Sequence, residues 1–109
     1  MGQFVICGLT DGESKRANTF GSLILARETD GGLAYVGNVG SGLTEEMLQI
    51  LLPVFEGLKH GCPFPQAPKL QREPKFWVKP FLWYEVRYLE YGSDGKLRFP
   101  IFRRFVSAC

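Results

Sequence analysis

Apolar and polar positions divide the 109-residue chain into short apolar runs, with one stretch of helical period among them. Phe4–Leu9 (FVICGL) is an apolar run that stops at the polar segment 10–19, and Phe20–Ala26 resumes as a second. Asp30-Gly31-Gly32 turns the chain and Leu33–Val39 runs back, which is a hairpin signal. Glycines inside these strands (Gly8, Gly21, Gly37) weaken a flat sheet but suit the bends and bulges by which a small sheet curls into a barrel. After Gly40-Ser41-Gly42-Leu43, Thr44 is placed to cap a helix whose first turn carries Glu45 and Glu46, as the positive end of a helix dipole prefers. Leu48, Leu51, Leu52 and Phe55 recur at helical spacing and predict one buried stripe. Pro53 interrupts that stripe, so the helix is expected to kink there or to stop and restart.

Residues 57–75 carry four prolines among charged and polar side chains and read as an extended, irregular connection. Beyond it, 76–106 (FWVKPFLWYEVRYLEYGSDGKLRFPIFRRFV) is an aromatic-rich hairpin that turns at Gly92-Ser93-Asp94-Gly95. Pro100 cannot donate to a ladder, so the returning strand is expected to be interrupted there. The order is three strands, a helix, a long connection and two more strands. It predicts an all-β fold, a five-stranded OB-fold Greek-key barrel with one helix between strands 3 and 4, as a single domain over residues 1–109. On the strand pattern alone, an SH3-like barrel and a small α+β sandwich remain rivals.

Composition changes this picture little, and charge changes it more. With 45% hydrophobic and 22% charged residues the chain reads as an ordinary soluble domain. It shows neither a membrane-spanning run nor a signal-peptide core, so a cytoplasmic location is expected. Three cysteines (Cys7, Cys62, Cys109) without a CxxC spacing suit reduced thiols better than a disulfide framework. The formal net charge of +2 hides an asymmetry: residues 1–58 hold three cations against seven acids, and residues 59–109 hold ten against four. A basic half favours a polyanionic partner. Lys96, Arg98, Arg103 and Arg104 are too many and too close together to be buried and paired by the few acids nearby, which makes them candidate phosphate contacts. Lys15 and Arg16 in the first loop join them as DNA-binding candidates.

Other constellations carry less chemistry. The run Gly37-Asn38-Val39-Gly40-Ser41-Gly42 matches neither GxGxxG nor the P-loop and reads as a tight turn into a capped helix. His60 near Cys62 makes a metal site only if two more ligands such as Cys7 and Cys109 converge; no spacing supports that, and no metal is expected. Trp77, Trp83, Tyr84, Tyr88 and Tyr91 have the faces on which bases stack, but strand alternation sends only half of them outward and a small barrel needs bulky residues inside, so most are assigned to the core. No nucleophile–base pair is evident, the Lys-x-Asp-Gly of a nucleotidyl-transferring lysine is absent, and no residue is assigned as catalytic.

The succession FGSLILA, GGLAYVGNVGSGLTEEML and FWVKPFLWYEVRYLEYGSDGKLRFPIFRRF resembles the C-terminal OB-fold domain of ATP-dependent DNA ligases, of the archaeal and bacterial end-joining type, over roughly residues 4 to 105. Trp-Val-x-Pro, a Glu-Val strand, Asp-Gly-x-Leu-Arg and x-Pro-x-Phe together carry it. The resemblance implies a non-catalytic part or subunit of a ligase, with no cofactor of its own. It would bind nicked double-stranded DNA and complete the active site of a separate nucleotidyltransferase domain, which holds ATP and Mg. In that family a final Arg-x-Asp-Lys motif orients the leaving pyrophosphate; here those positions fall on Val106-Ser107-Ala108-Cys109, and none of its charges is present. The alternatives are a stand-alone OB-fold module binding single-stranded nucleic acid or a protein partner and, more distantly, the OB domain of an RNA ligase or mRNA capping enzyme.

Overall fold

The computed structural model describes residues 2–10, 20–30, 32–40, 42–61, 64, 74–80, 82–93, 95–98 and 100–108. Its strands are β1 (Gly2–Thr10), β2 (Leu23–Thr29), β3 (Gly32–Val39), β4 (Lys59–His60), β5 (Pro74–Val78), β6 (Leu82–Arg87), β7 (Glu90–Tyr91), β8 (Leu97–Arg98) and β9 (Ile101–Ala108), with one helix, α1 (Glu45–Glu56), between β3 and β4. All pairings are antiparallel. β1 is the hub. β2 lies along one side of it, with β3 beyond; on the other side its C-terminal half pairs with β5 and its N-terminal half with β6, which carries β9. β7 and β8 form a separate ribbon.

The five expected strands are thus distributed over nine segments among the described residues. The stretch that begins at Phe76 is not one strand: it is cut at Lys79-Pro80, where proline has no N–H to give, and again at Tyr88-Leu89. The first cut lets two short strands share opposite halves of β1. The irregular connection contributes β4, which pairs with β5 at Lys59–Val78 and His60–Trp77. Pro100 falls between β8 and β9, as its chemistry requires.

Bulges set which side chains face inward. Between Ile6 and Gly8 the register of β1 against β2 shifts by one. Leu9 therefore joins Phe4 and Ile6 in the main core, although strict alternation would place it with Val5 and Cys7. On β3 the extra residue is Val36, followed by Gly37 at φ +126, a backbone angle that a residue with a Cβ rarely adopts.

Thr44 Oγ1 accepts a hydrogen bond from the Met47 N–H at 3.2 Å, the expected N-cap. The helix does not stop and restart at Pro53: it runs on to Glu56, and the Gly57 N–H donates to the Pro53 carbonyl at 3.1 Å. Only three helical residues follow Pro53, so the proline removes one bond from a helix that is about to end. Phe55 packs edge-on against Phe20 at 5.8 Å and ties α1 to the barrel interior.

The main core joins residues of β1, β2, β3, α1, β5, β6, β8 and β9. A second cluster (Val5, Cys7, Ile24, Ala26) lies on the opposite face of β1 and β2, closed over by Phe64 from the long connection, whose ring meets Tyr35 and Trp77 edge-on. Among the described residues no helix is long and apolar enough to cross a membrane.

Candidate nucleic-acid interface

The β7–β8 ribbon places the first two predicted cations. The Gly95 N–H donates to the Gly92 carbonyl at 3.0 Å and the Gly92 N–H to the Lys96 carbonyl at 2.7 Å, with Gly95 at φ +80. Leu97 turns into the core, so its neighbours Lys96 and Arg98 turn away from it. The Lys96 ammonium stands 5.3 Å from the centre of the Tyr35 ring on β3, a cation–π contact, and the Tyr35 hydroxyl donates to Asn38 Oδ1 at 2.8 Å. Arg98 lies directly across the ribbon from Glu90, and both are exposed. Beside them Tyr91, 43% exposed, meets Tyr88 edge-on at 5.3 Å. Burial and the neighbouring Tyr88 push the Tyr91 hydroxyl pKa above its usual value, and the charge of Arg27 on β2 opposes them. Tyr35, bonded to Asn38, thus carries Lys96, and Arg27 acts separately on Tyr91.

Arg103 and Arg104 occupy a different place. The register of β9 against β6 shifts between Glu85–Arg104 and Val86–Phe102, so Arg103 is the extra residue of a bulge and two consecutive arginines both face solvent. Arg104 Nε is 3.6 Å from Glu85 Oε1 while its side chain remains 74% exposed, which makes this a loose surface pair. The two arginines flank an apolar groove of about 350 Å³ floored by Met47, Ile50, Leu51, Tyr84 and Phe102.

The four predicted cations therefore stand in two groups, one on the ribbon and one beside α1. Lys15 and Arg16 lie outside the described residues. His60 is exposed, with Nδ1 3.1 Å from the Gly61 carbonyl oxygen, and among the described residues no group of three or more His, Cys, Asp or Glu could hold a metal ion. Of the five aromatics weighed as base-stackers, Tyr84 is buried, Trp77, Trp83 and Tyr88 are half-buried, and Tyr91 is exposed.

The model of the family "ATP dependent DNA ligase C terminal region" matches residues 16–107. The chain belongs to that family. Relatives include the multifunctional non-homologous end joining protein LigD of Mycolicibacterium smegmatis, 39% identical over 103 residues, which cover 93% of this chain and 14% of that protein. A DNA ligase of Haloarcula marismortui is 37% identical over 106 residues, covering 90% of this chain and 17% of the relative. The crystal structure of the ligase domain from M. tuberculosis LigD superposes with a TM-score of 0.86 at 33% identity, covering 95% of this chain and 34% of that one. Mycobacterial DNA ligase D complexed with ATP and MES gives a TM-score of 0.79 at 34% identity, covering 96% and 34%. The likeness supports the OB-fold expected from the element order, with its helix between the third strand and the next. The chain spans about a seventh to a sixth of the length of these curated relatives and a third of the solved ligase chains.

Within this ligase C-terminal region, the positions aligned with the charged Arg-x-Asp-Lys motif continue the last strand: Ser107 pairs with Trp83 and Ala108 with Leu82. Cys109 lies outside the described residues. Sequence reasoning missed Arg27, Tyr35 and Asn38 because they come from the acidic half of the chain and only tertiary packing brings the ribbon near them. It also missed the solvent side of α1, where Ile50 and Val54 stand four apart and off the buried stripe.

Proposed function

We propose that this ligase C-terminal region is a single domain over residues 1–109 that acts in the cytoplasm and binds nicked duplex DNA. Lys96, Arg98, Arg103 and Arg104, together with Lys15 and Arg16, make the phosphate contacts, and the domain completes the active site of a separate nucleotidyltransferase domain. ATP and Mg belong to that partner domain, which supplies the nucleotidyl-transfer chemistry; the present chain grips and positions. The supporting observation is the β9 bulge, which holds Arg103 and Arg104 side by side in solvent with one loosely held acid beside them. Cations so exposed gain by replacing condensed counterions on a phosphate backbone.

The test is the quadruple substitution of Lys96, Arg98, Arg103 and Arg104 to alanine in the reconstituted ligase, read as affinity for nicked duplex at several salt concentrations. Each lost phosphate contact removes about 0.9 from the slope of log K against log salt, so four lower it by about 3.6. An unchanged slope overturns the assignment. Tighter binding of single-stranded oligonucleotide than of nicked duplex would favour the stand-alone module, for which the exposed ring of Tyr91 offers a stacking face.

A further inference from the structure

The groove between α1 and β9 has a floor unsuited to phosphate. Met47, Ile50, Leu51, Tyr84 and Phe102 line it, Ile50 is 61% exposed, and Val54 one turn further along α1 is 47% exposed. Its volume of about 350 Å³ lies at the small end of the range for ligand pockets, on the order of 300–1,000 Å³, which suits one anchoring apolar side chain. Its rim is cationic: Arg103 has no ion pair among the described residues, and Arg104 holds Glu85 only at 3.6 Å. A helix face this apolar beside two arginines marks a protein-docking site.

In both solved ligase chains the region equivalent to this one is a third of a longer polypeptide, so two thirds of that chain are tethered to it. Tethering makes such contact effectively intramolecular, and a small apolar interface then suffices. We propose that the α1–β9 groove seats a segment of the ligase outside these 109 residues, one that presents a large apolar side chain next to a carboxylate. The apolar side chain enters between Ile50 and Phe102, and the carboxylate meets Arg103 or Arg104. This inference rests on the reading of the chain as one part of a ligase; the carboxylate holds Arg103 or Arg104 in the DNA-free enzyme and yields them to phosphate when DNA binds.

The test uses Ile50→Cys and, separately, Val54→Cys, labelled with a maleimide in the 109-residue chain and in the intact ligase, without DNA. Labelling at both positions is expected to be at least tenfold slower in the intact ligase. Adding Ile50→Glu to the Val54→Cys ligase should restore the rate of the isolated chain, because a carboxylate at Ile50 polarises the floor and repels the incoming one. Lys96→Ala with Arg98→Ala, on the ribbon away from the groove, should leave the protection of Val54→Cys unchanged while lowering the salt slope of nicked-duplex binding by about 1.8, which separates this test from that of the phosphate contacts. Equal labelling rates in the two proteins would overturn the proposal. So would protection that rises with the concentration of the isolated chain, which means a second copy, or protection that appears only when DNA is added.

Discussion

Replacing Gly42 by alanine tests how closely the segment before α1 is pressed against β9. Gly42 has φ +90, and a Cβ built on it lies 2.5 Å from the Phe102 carbonyl oxygen and 3.1 Å from both Phe102 N and Ile101 Cγ2. The left-handed backbone alone costs about 1–2 kcal/mol for a residue with a Cβ. To restore ordinary contact distances β9 must move by about 1 Å. That strand carries Phe102, which is buried against Tyr84 with ring centres 4.9 Å apart, so the movement enters the core. Overpacking of this kind costs about 1–3 kcal/mol, against which the stiffer unfolded chain returns about 0.4–1 kcal/mol. The net expectation is a loss of about 2–4 kcal/mol, or a fall of roughly 8–16 °C in Tm for a domain of this size. Two controls separate the causes. Gly95 has φ +80 with nothing within 4 Å of a built Cβ, so Gly95→Ala reports the backbone term alone; Gly61, with neither feature, should be neutral or slightly stabilising. Urea and thermal unfolding of the three variants supply the comparison, and a Gly42→Ala loss no larger than that of Gly95→Ala would refute the close approach.

Phe55→Ala should cost about 3–5 kcal/mol by equilibrium unfolding, because the side chain is fully buried and its edge-on contact with Phe20 is lost along with its volume. Burial pushes the Tyr84 hydroxyl pKa up from 10.0 to about 12, so the fold favours the protonated phenol. That stability is fully present below pH 10 and is lost as pH rises through 12, on the order of 2–3 kcal/mol, so the gap in stability between the parent and Tyr84→Phe should shift by that amount in the variant's favour across this range. Glu85→Gln should change stability by less than about 0.5 kcal/mol, since Arg104 is mostly in solvent; a loss above 1 kcal/mol would show a tighter pair than 3.6 Å implies.

The local chemistry was readable where one residue type decides the outcome. Thr44 caps α1, Gly92 and Gly95 turn the ribbon, and Pro100 breaks the returning strand, each through its own backbone or side-chain groups. The glycine run before α1 has a demand that no local signal carries: the approach of Gly42 to Phe102 depends on a strand sixty residues away. Pro53 lies inside α1 rather than at a restart, and only three helical residues follow the bond that it removes. The run from Phe76 to Tyr91 looked continuous because alternation persists across Lys79-Pro80, while the division into β5 and β6 reflects what β1 offers on each half of its edge.

For the candidate site the same division holds. Charge is additive along the sequence, so a basic C-terminal half and the exposure of Arg98, Arg103 and Arg104 followed from composition and the scarcity of nearby acids. Position in space is not additive. Packing of the separate ribbon against the larger sheet set Lys96 on Tyr35 of β3 and Tyr91 near Arg27, whereas a bulge of one residue put Arg103 and Arg104 beside the apolar face of α1. The turns, the helix cap, the place of the helix and the resemblance to ligase C-terminal regions were legible in the chain, because these depend on neighbours within a few residues and on residue identity. Which cations share a surface, and the groove between α1 and β9, came from register and packing, because a shift of a single residue reverses the direction of every side chain that follows.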